Sequence, residues 1–177
     1  MGWVSIIAIL ILFFSFIGGL KKGAIKNLFS VIALIIAIPL AGLSYRLITI
    51  ILSLLPGTNW ENFIGFFITL GLIITILYLI LLLPRKIIHK AWHKGGLFRL
   101  LGGTLNVLNA SIGMVVFTLA LVAYPIIGWL ELAVVHSGVI IWLVTRLSFV
   151  QALLPDLFQD EAIAIIATPI LSLASAL

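Results

Sequence analysis

Gly19-Leu20-Lys21-Lys22-Gly23-Ala24-Ile25-Lys26 is a short basic stretch between two long apolar runs. Before it, Trp3 to Leu20 carries no charge; after it, Ala24 to Leu43 carries only Lys26 and contains Pro39. Each run approaches the ~20 apolar residues that an α-helix needs to cross the hydrocarbon core of a bilayer. The stretch therefore reads as the turn between two membrane-spanning helices. Two further runs repeat the pattern: Phe63 to Leu83, closed by Pro84, and Thr104 to Leu130, containing Pro125. A proline within such a helix kinks it, and neighbouring groups re-satisfy the freed carbonyl. The expected fold is an all-α membrane protein with four transmembrane helices and short interfacial helices.

The composition agrees. Of 177 residues, 64% are hydrophobic and 8% charged, with a mean hydropathy of +1.40. Soluble domains carry about 25% charged residues, so this chain has too few to cover its surface in water. It has no cysteine, which excludes disulfides, thiol nucleophiles and thiolate metal sites. Its pI near 9.9 comes from basic residues beside apolar runs. That placement points to anionic lipid headgroups and away from nucleic acid. The first run lacks a basic leading region and a small-residue cleavage site, so it is expected to be a retained helix.

Charge placement sets an orientation. Lys21, Lys22 and Lys26 lie between the first two runs, and Arg85, Lys86, Lys90, Lys94 and Arg99 between the third and fourth. The acids lie elsewhere: Glu61 between the second and third runs, and Glu131, Asp156, Asp160 and Glu161 after the fourth. Short loops rich in Lys and Arg stay in the cytoplasm. Both basic loops are thus expected inside and both termini outside, with Arg46 and Arg146 as minority charges on the outer side. Residues 47–55 and 139–154 are expected to be interfacial segments. Residues 156–177 form a short apolar tail, broken by Pro169 and left unassigned; a fifth span at 162–177 would put the C-terminus inside.

Gly19 and Gly23 flank the turn, and glycine there serves chain reversal more often than helix packing. Gly102, Asn106, Ala110 and Gly113 fall at spacings near four, which places small residues on one helix face and favours close packing. Asn106 and Asn109 are the most polar side chains inside a run. They are expected to join helices by hydrogen bonds, with Thr69, Thr75 and Tyr78 as candidate partners, rather than to line a pore. His89 and His93 have a zinc-compatible i, i+4 spacing, but no acid lies nearby and Lys90 and Lys94 repel a cation, so no metal site is expected. Arg85, Lys86, Lys90 and Lys94 are expected to contact anionic headgroups at the cytoplasmic face while Ile87, Ile88, Ala91 and Trp92 enter the interface. No run has an acid or base near its centre, so neither ion-coupled transport nor catalysis is expected, and no cofactor.

Two of these segments resemble the colicin V production protein (CvpA) family of bacterial inner-membrane proteins. Gly19, Lys22, Gly23 and Lys26, followed by Phe29 and Ser30, resemble its Gly-x-x-Arg/Lys-Gly-x-x-Arg/Lys signature. Arg99, Leu101 and Gly102 resemble its Asp-Arg-x-Leu-Gly motif. The resemblance covers residues 1–155, as one four-helix membrane domain. The chain departs from the family pattern at Asn27 and Phe98, where acids are usual, and at Asn106 and Ala110, where a glycine ladder continues. The resemblance implies a non-enzymatic inner-membrane accessory protein linked to toxin production or export and to envelope homeostasis. Its expected partner, besides the lipid, is a second copy of the chain or another membrane protein. The alternative reading is a small channel or transport subunit, suggested by Asn106, Asn109, Pro39 and Pro125.

Overall fold

The computed structural model describes residues 2–51, 58–82 and 96–154. It is helical, and among the described residues it has no strand. Four long helices are apolar enough to cross a membrane: α1 (Trp3–Lys22), α2 (Ala24–Ile51), α3 (Thr58–Ile80) and α4 (Gly96–Ala123). Three short helices follow: α5 (Gly128–Val135), α6 (Gly138–Arg146) and α7 (Ser148–Leu153).

The turn in the opening stretch is tight because Gly23 takes φ +82°, a left-handed conformation that costs other residues but not glycine. The Gly23 N–H donates to the Gly19 carbonyl at 3.0 Å and closes α1. Lys21 and Lys22 occupy the last turn of α1, where cations offset the helix dipole. Helix α2 begins at once with Ala24.

The helices do not follow chain order in space. Helix α4 lies between α1 and α2, and α3 packs along α2. Helices α2 and α4 both start at the lysine-bearing end, here the basic end, so they run parallel. The buried face of α2 steps through Val31, Leu34, Ile38, Ala41 and Tyr45, and that of α4 through Ile112, Val115 and Leu119. These three- and four-residue steps keep one face on the partner helix. Phe63 and Phe67 of α3 meet Phe117 of α4, each with centroids 5.9 Å apart. By contrast Phe13, Phe14, Leu43, Leu72 and Ile76 are exposed, as suits side chains that face lipid.

The short helices pack across the end opposite the lysines. Helices α5 and α6 are bent by 70° at their break. Ser5 and Ser137 share a buried hydrogen bond of 2.8 Å, and the Trp3 and Trp129 rings stack at 5.9 Å. On the same side Tyr45 and Tyr124 join α2 to the chain leaving α4 through a 3.0 Å hydrogen bond.

Several expected boundaries move. Residues 47–51 continue α2 instead of forming a separate interfacial segment, while 52–55 lie outside the described residues. The fourth span starts at Gly96, not Thr104, and ends at Ala123, so Pro125 lies beyond it and kinks no span. Pro39 does sit inside α2. The expected interfacial helix at 139–154 is two helices, α6 and α7, parted at Leu147. The tail at 156–177 lies outside the described residues.

Candidate functional site

Gly19, Gly23, Gly102 and Asn106 come together at the basic end, where α1, α2 and α4 cross. At Gly19 a β-carbon would strike the Gly102 carbonyl oxygen, and would lie 2.6 Å from Asn106 Cβ and 2.8 Å from Gly103 Cα. At Gly102 it would lie 2.7 Å from both the Gly19 carbonyl oxygen and the Gly23 carbonyl carbon, and 2.9 Å from the Ala24 nitrogen. Two glycines, one on each helix, therefore let the backbones of α1 and α4 touch. Gly103 extends the contact against the Phe16 ring, whose nearest atom would be 2.7 Å from an added β-carbon.

The two glycines of the first motif thus divide the labour. Gly23 makes the turn, as expected. Gly19 is a packing position, the less favoured of its two readings, because helix α1 carries it directly onto Gly102. Gly102 belongs to the second turn of α4 and not to a loop.

Asn27 locks this seam. It is 1% exposed, and its Nδ2 donates to the Gly102 carbonyl at 2.7 Å and to the Gly19 carbonyl at 3.3 Å. One side chain on α2 thereby ties α1 to α4. The sequence reading noted Asn27 only as a missing acid. The geometry gives the reason for an amide: both neighbours are carbonyl oxygens, which need a donor, and an ionised carboxylate only accepts. The signal was present in the sequence, since an amide one turn into an apolar helix must find a partner in lipid.

Asn106 adds a second tie. Its Nδ2 donates to the Ser15 carbonyl of α1 at 2.6 Å, so its partner is α1 and not the proposed α3 residues. Thr69 and Thr75 of α3 donate to the carbonyls of Gly65 and Gly71, one turn back in their own helix. Asn109 stands apart: its Oδ1 is buried without a hydrogen-bond partner among the described residues. Gly113 also leaves the packing pattern, because a β-carbon there would meet nothing within 4 Å. Of the small and polar positions from Gly102 to Gly113, Gly102 and Asn106 meet α1, and a β-carbon at Gly113 would meet nothing within 4 Å among the described residues.

Around the seam lie Lys21, Lys22 and Lys26 of the hinge and Arg99 of α4, all exposed. Arg85, Lys86, Lys90 and Lys94, the expected headgroup contacts, lie outside the described residues, as do His89 and His93. At the opposite end an open cavity of about 480 Å³ is lined by Gly2, Ser5, His136, Gly138, Val139 and Trp142. His136 Nδ1 donates to the Leu132 carbonyl there at 2.7 Å; the sequence reading had not singled it out. Among the described residues no group of three or more His, Cys, Asp or Glu side chains could hold a metal ion.

Compared with models of known protein families, residues 4–165 match the one described as Colicin V production protein. The match includes the hinge, the seam and the short helices, and reaches into the tail. No curated protein and no solved structure matches the chain.

Proposed function

From this chain's membership of the colicin V production protein family, we propose that it is a non-enzymatic accessory protein of the bacterial inner membrane. It serves colicin V-type toxin production or export, and envelope homeostasis, by assembling with other membrane components. The basic end faces the cytoplasm and both termini face outward, in keeping with the retention of Lys- and Arg-rich loops inside.

One observation carries the non-enzymatic part. Several polar side chains within the spans bond to backbone carbonyls of the same bundle, Asn27 to Gly102 and Gly19, Asn106 to Ser15, Thr69 to Gly65, and Thr75 to Gly71, while Asn109 Oδ1 has no partner among the described residues. Such bonds join helices and stiffen turns. A catalytic site instead needs a nucleophile or base converging with its orienting partner on a shared cavity. The channel alternative draws on Asn109 and Pro39, with Asn106 committed to Ser15 and Pro125 outside α4.

The assembling surface is the side of α4 around Gly113, where the described residues leave space for a neighbour's backbone. The chain has no cysteine, so Gly113→Cys carries a unique label. Crosslinking from it in native membranes, read by mass, should give a discrete adduct. A heterologous adduct identifies the machinery served, and a self-adduct makes the unit a homo-oligomer. Recovery of monomer alone would overturn assembly through this face.

A further inference from the structure

We propose that the basic end is a binding site for one anionic phospholipid, held by its phosphate across the α1–α2 hinge and the start of α4. The site draws cations from two separate stretches of chain. Gly102 touches Gly19, Gly23 and Ala24, so Lys22, Lys26 and Arg99 each lie within about one helical turn, roughly 5 Å of axial rise, of a single contact. Lys21 adds a fourth exposed cation.

Nothing in the described chain neutralises this charge. Glu61 and Glu131 are in the first turns of α3 and α5, both at the opposite end. Helices α2 and α4 also begin here, and neither has an acid in its first turn. Their amino termini therefore add partial positive charge to that of the four side chains. An anion is favourable at such an end, and among the described residues no acid supplies it.

The surroundings select a lipid over a free ion. Leu28 follows Lys26 by two residues, and Leu97, Leu100 and Leu101 flank Arg99; all four are exposed. A phosphate drawn to the cations would leave its acyl chains along these leucines, whereas inorganic phosphate gains nothing from them. Arg99 supplies a planar fork matched to phosphate oxygens, and the lysines supply point charges. Because Asn27 and the glycines fix the hinge against α4, the cations are held together before the lipid arrives, which lowers the entropy cost of binding.

This site rests on the membrane fold and not on the toxin-production reading, so its failure and the failure of crosslinking at Gly113 are separate results. The test uses full-length protein in detergent, titrated with phosphatidylglycerol or phosphatidylcholine and read by native mass spectrometry. Wild type should retain one phosphatidylglycerol per chain where phosphatidylcholine is already lost. The Lys22→Gln, Lys26→Gln, Arg99→Gln variant should bind it about tenfold or more weakly. Lys22→Arg with Lys26→Arg should bind as wild type, and circular dichroism of each variant monitors the fold. Arg46→Gln with Arg146→Gln, at the other end, should also bind as wild type. An equal loss in that control would mean diffuse charge attraction and overturn the site. Displacement by millimolar inorganic phosphate would overturn the lipid assignment in favour of a soluble phosphate ligand. Unchanged binding by the triple Gln variant would remove the proposal.

Discussion

Gly19→Ala should destabilise the bundle by about 3 kcal/mol, a large effect for one added methyl group. The new β-carbon would meet the Gly102 carbonyl oxygen, Asn106 Cβ and Gly103 Cα. Two of these are backbone atoms, which cannot swing aside as a flexible side chain can, so α1 must part from α4 along the seam. Separation also lengthens the hydrogen bonds from Asn106 to Ser15 and from Asn27 to Gly19. Gly102→Ala should behave alike, because its nearest contacts are also backbone. Gly103→Ala should cost only about 1 kcal/mol, since the Phe16 ring and the end of Leu20 can shift. Gly71→Ala, with nothing within 4 Å of its β-carbon, should be neutral or stabilise by up to about 1 kcal/mol through helix propensity. Reversible unfolding in mixed micelles, followed by circular dichroism, ranks the four. Equal stability of the Gly19→Ala and Gly71→Ala variants would refute the backbone contact.

The second large effect concerns Asn27. Asn27→Leu removes the donor to two carbonyls but leaves both carbonyls their own helical partners, and should cost about 1–2 kcal/mol. Asn27→Asp at neutral pH should cost more, about 3 kcal/mol or above, although its shape is nearly unchanged. It would place a carboxylate in a buried position against two carbonyl oxygens, with repulsion added to the desolvation penalty. Acidification should recover part of that loss, because a protonated carboxyl can again donate; the Leu variant should show no such recovery. The same unfolding assay, run at neutral and at acid pH, decides the matter. An Asp variant as stable as wild type at neutral pH would mean that Asn27 does not clasp the seam.

These two positions also show where sequence reading succeeds and where it stops. The four spans were legible because hydropathy alone forces them: apolar runs of this length have nowhere else to go. Their ends were less legible. Arg99 read as loop and the fourth span as starting at Thr104, because charge usually marks a loop, yet α4 starts at Gly96. Its glycines are there to meet α1, a fact of tertiary contact that no local pattern contains. Helix α2 likewise passes Pro39, Gly42 and Arg46 to Ile51, held late in its course by the Tyr45 bond to Tyr124. Spacing grouped Gly113 with Gly102, but only the fold shows that one faces α1 and the other meets nothing within 4 Å among the described residues. Asn27 was hidden for a different reason. It was judged by the charge it lacked, while its role depends on two carbonyls, one of them 75 residues away in sequence. The Asn106 tie to α1 was invisible for the same cause, since its acceptor is a backbone atom of a distant helix.

The fold of the seam and its proposed roles all depend on α1 lying against α4, out of chain order. The most direct test is a disulfide between them in native membranes. A β-carbon at Gly18 would stand 3.7 Å from Asn106 Nδ2, so Gly18→Cys with Asn106→Cys puts two thiols on facing sides of the α1–α4 contact, and the chain has no other cysteine. Mild oxidation should convert most of the protein to an intramolecular disulfide, seen as a reducible shift in gel mobility of the monomer. A paired Gly18→Cys, Gly71→Cys variant, joining α1 to α3, should stay reduced. Efficient bridging to α3 with none to Asn106 would contradict the arrangement.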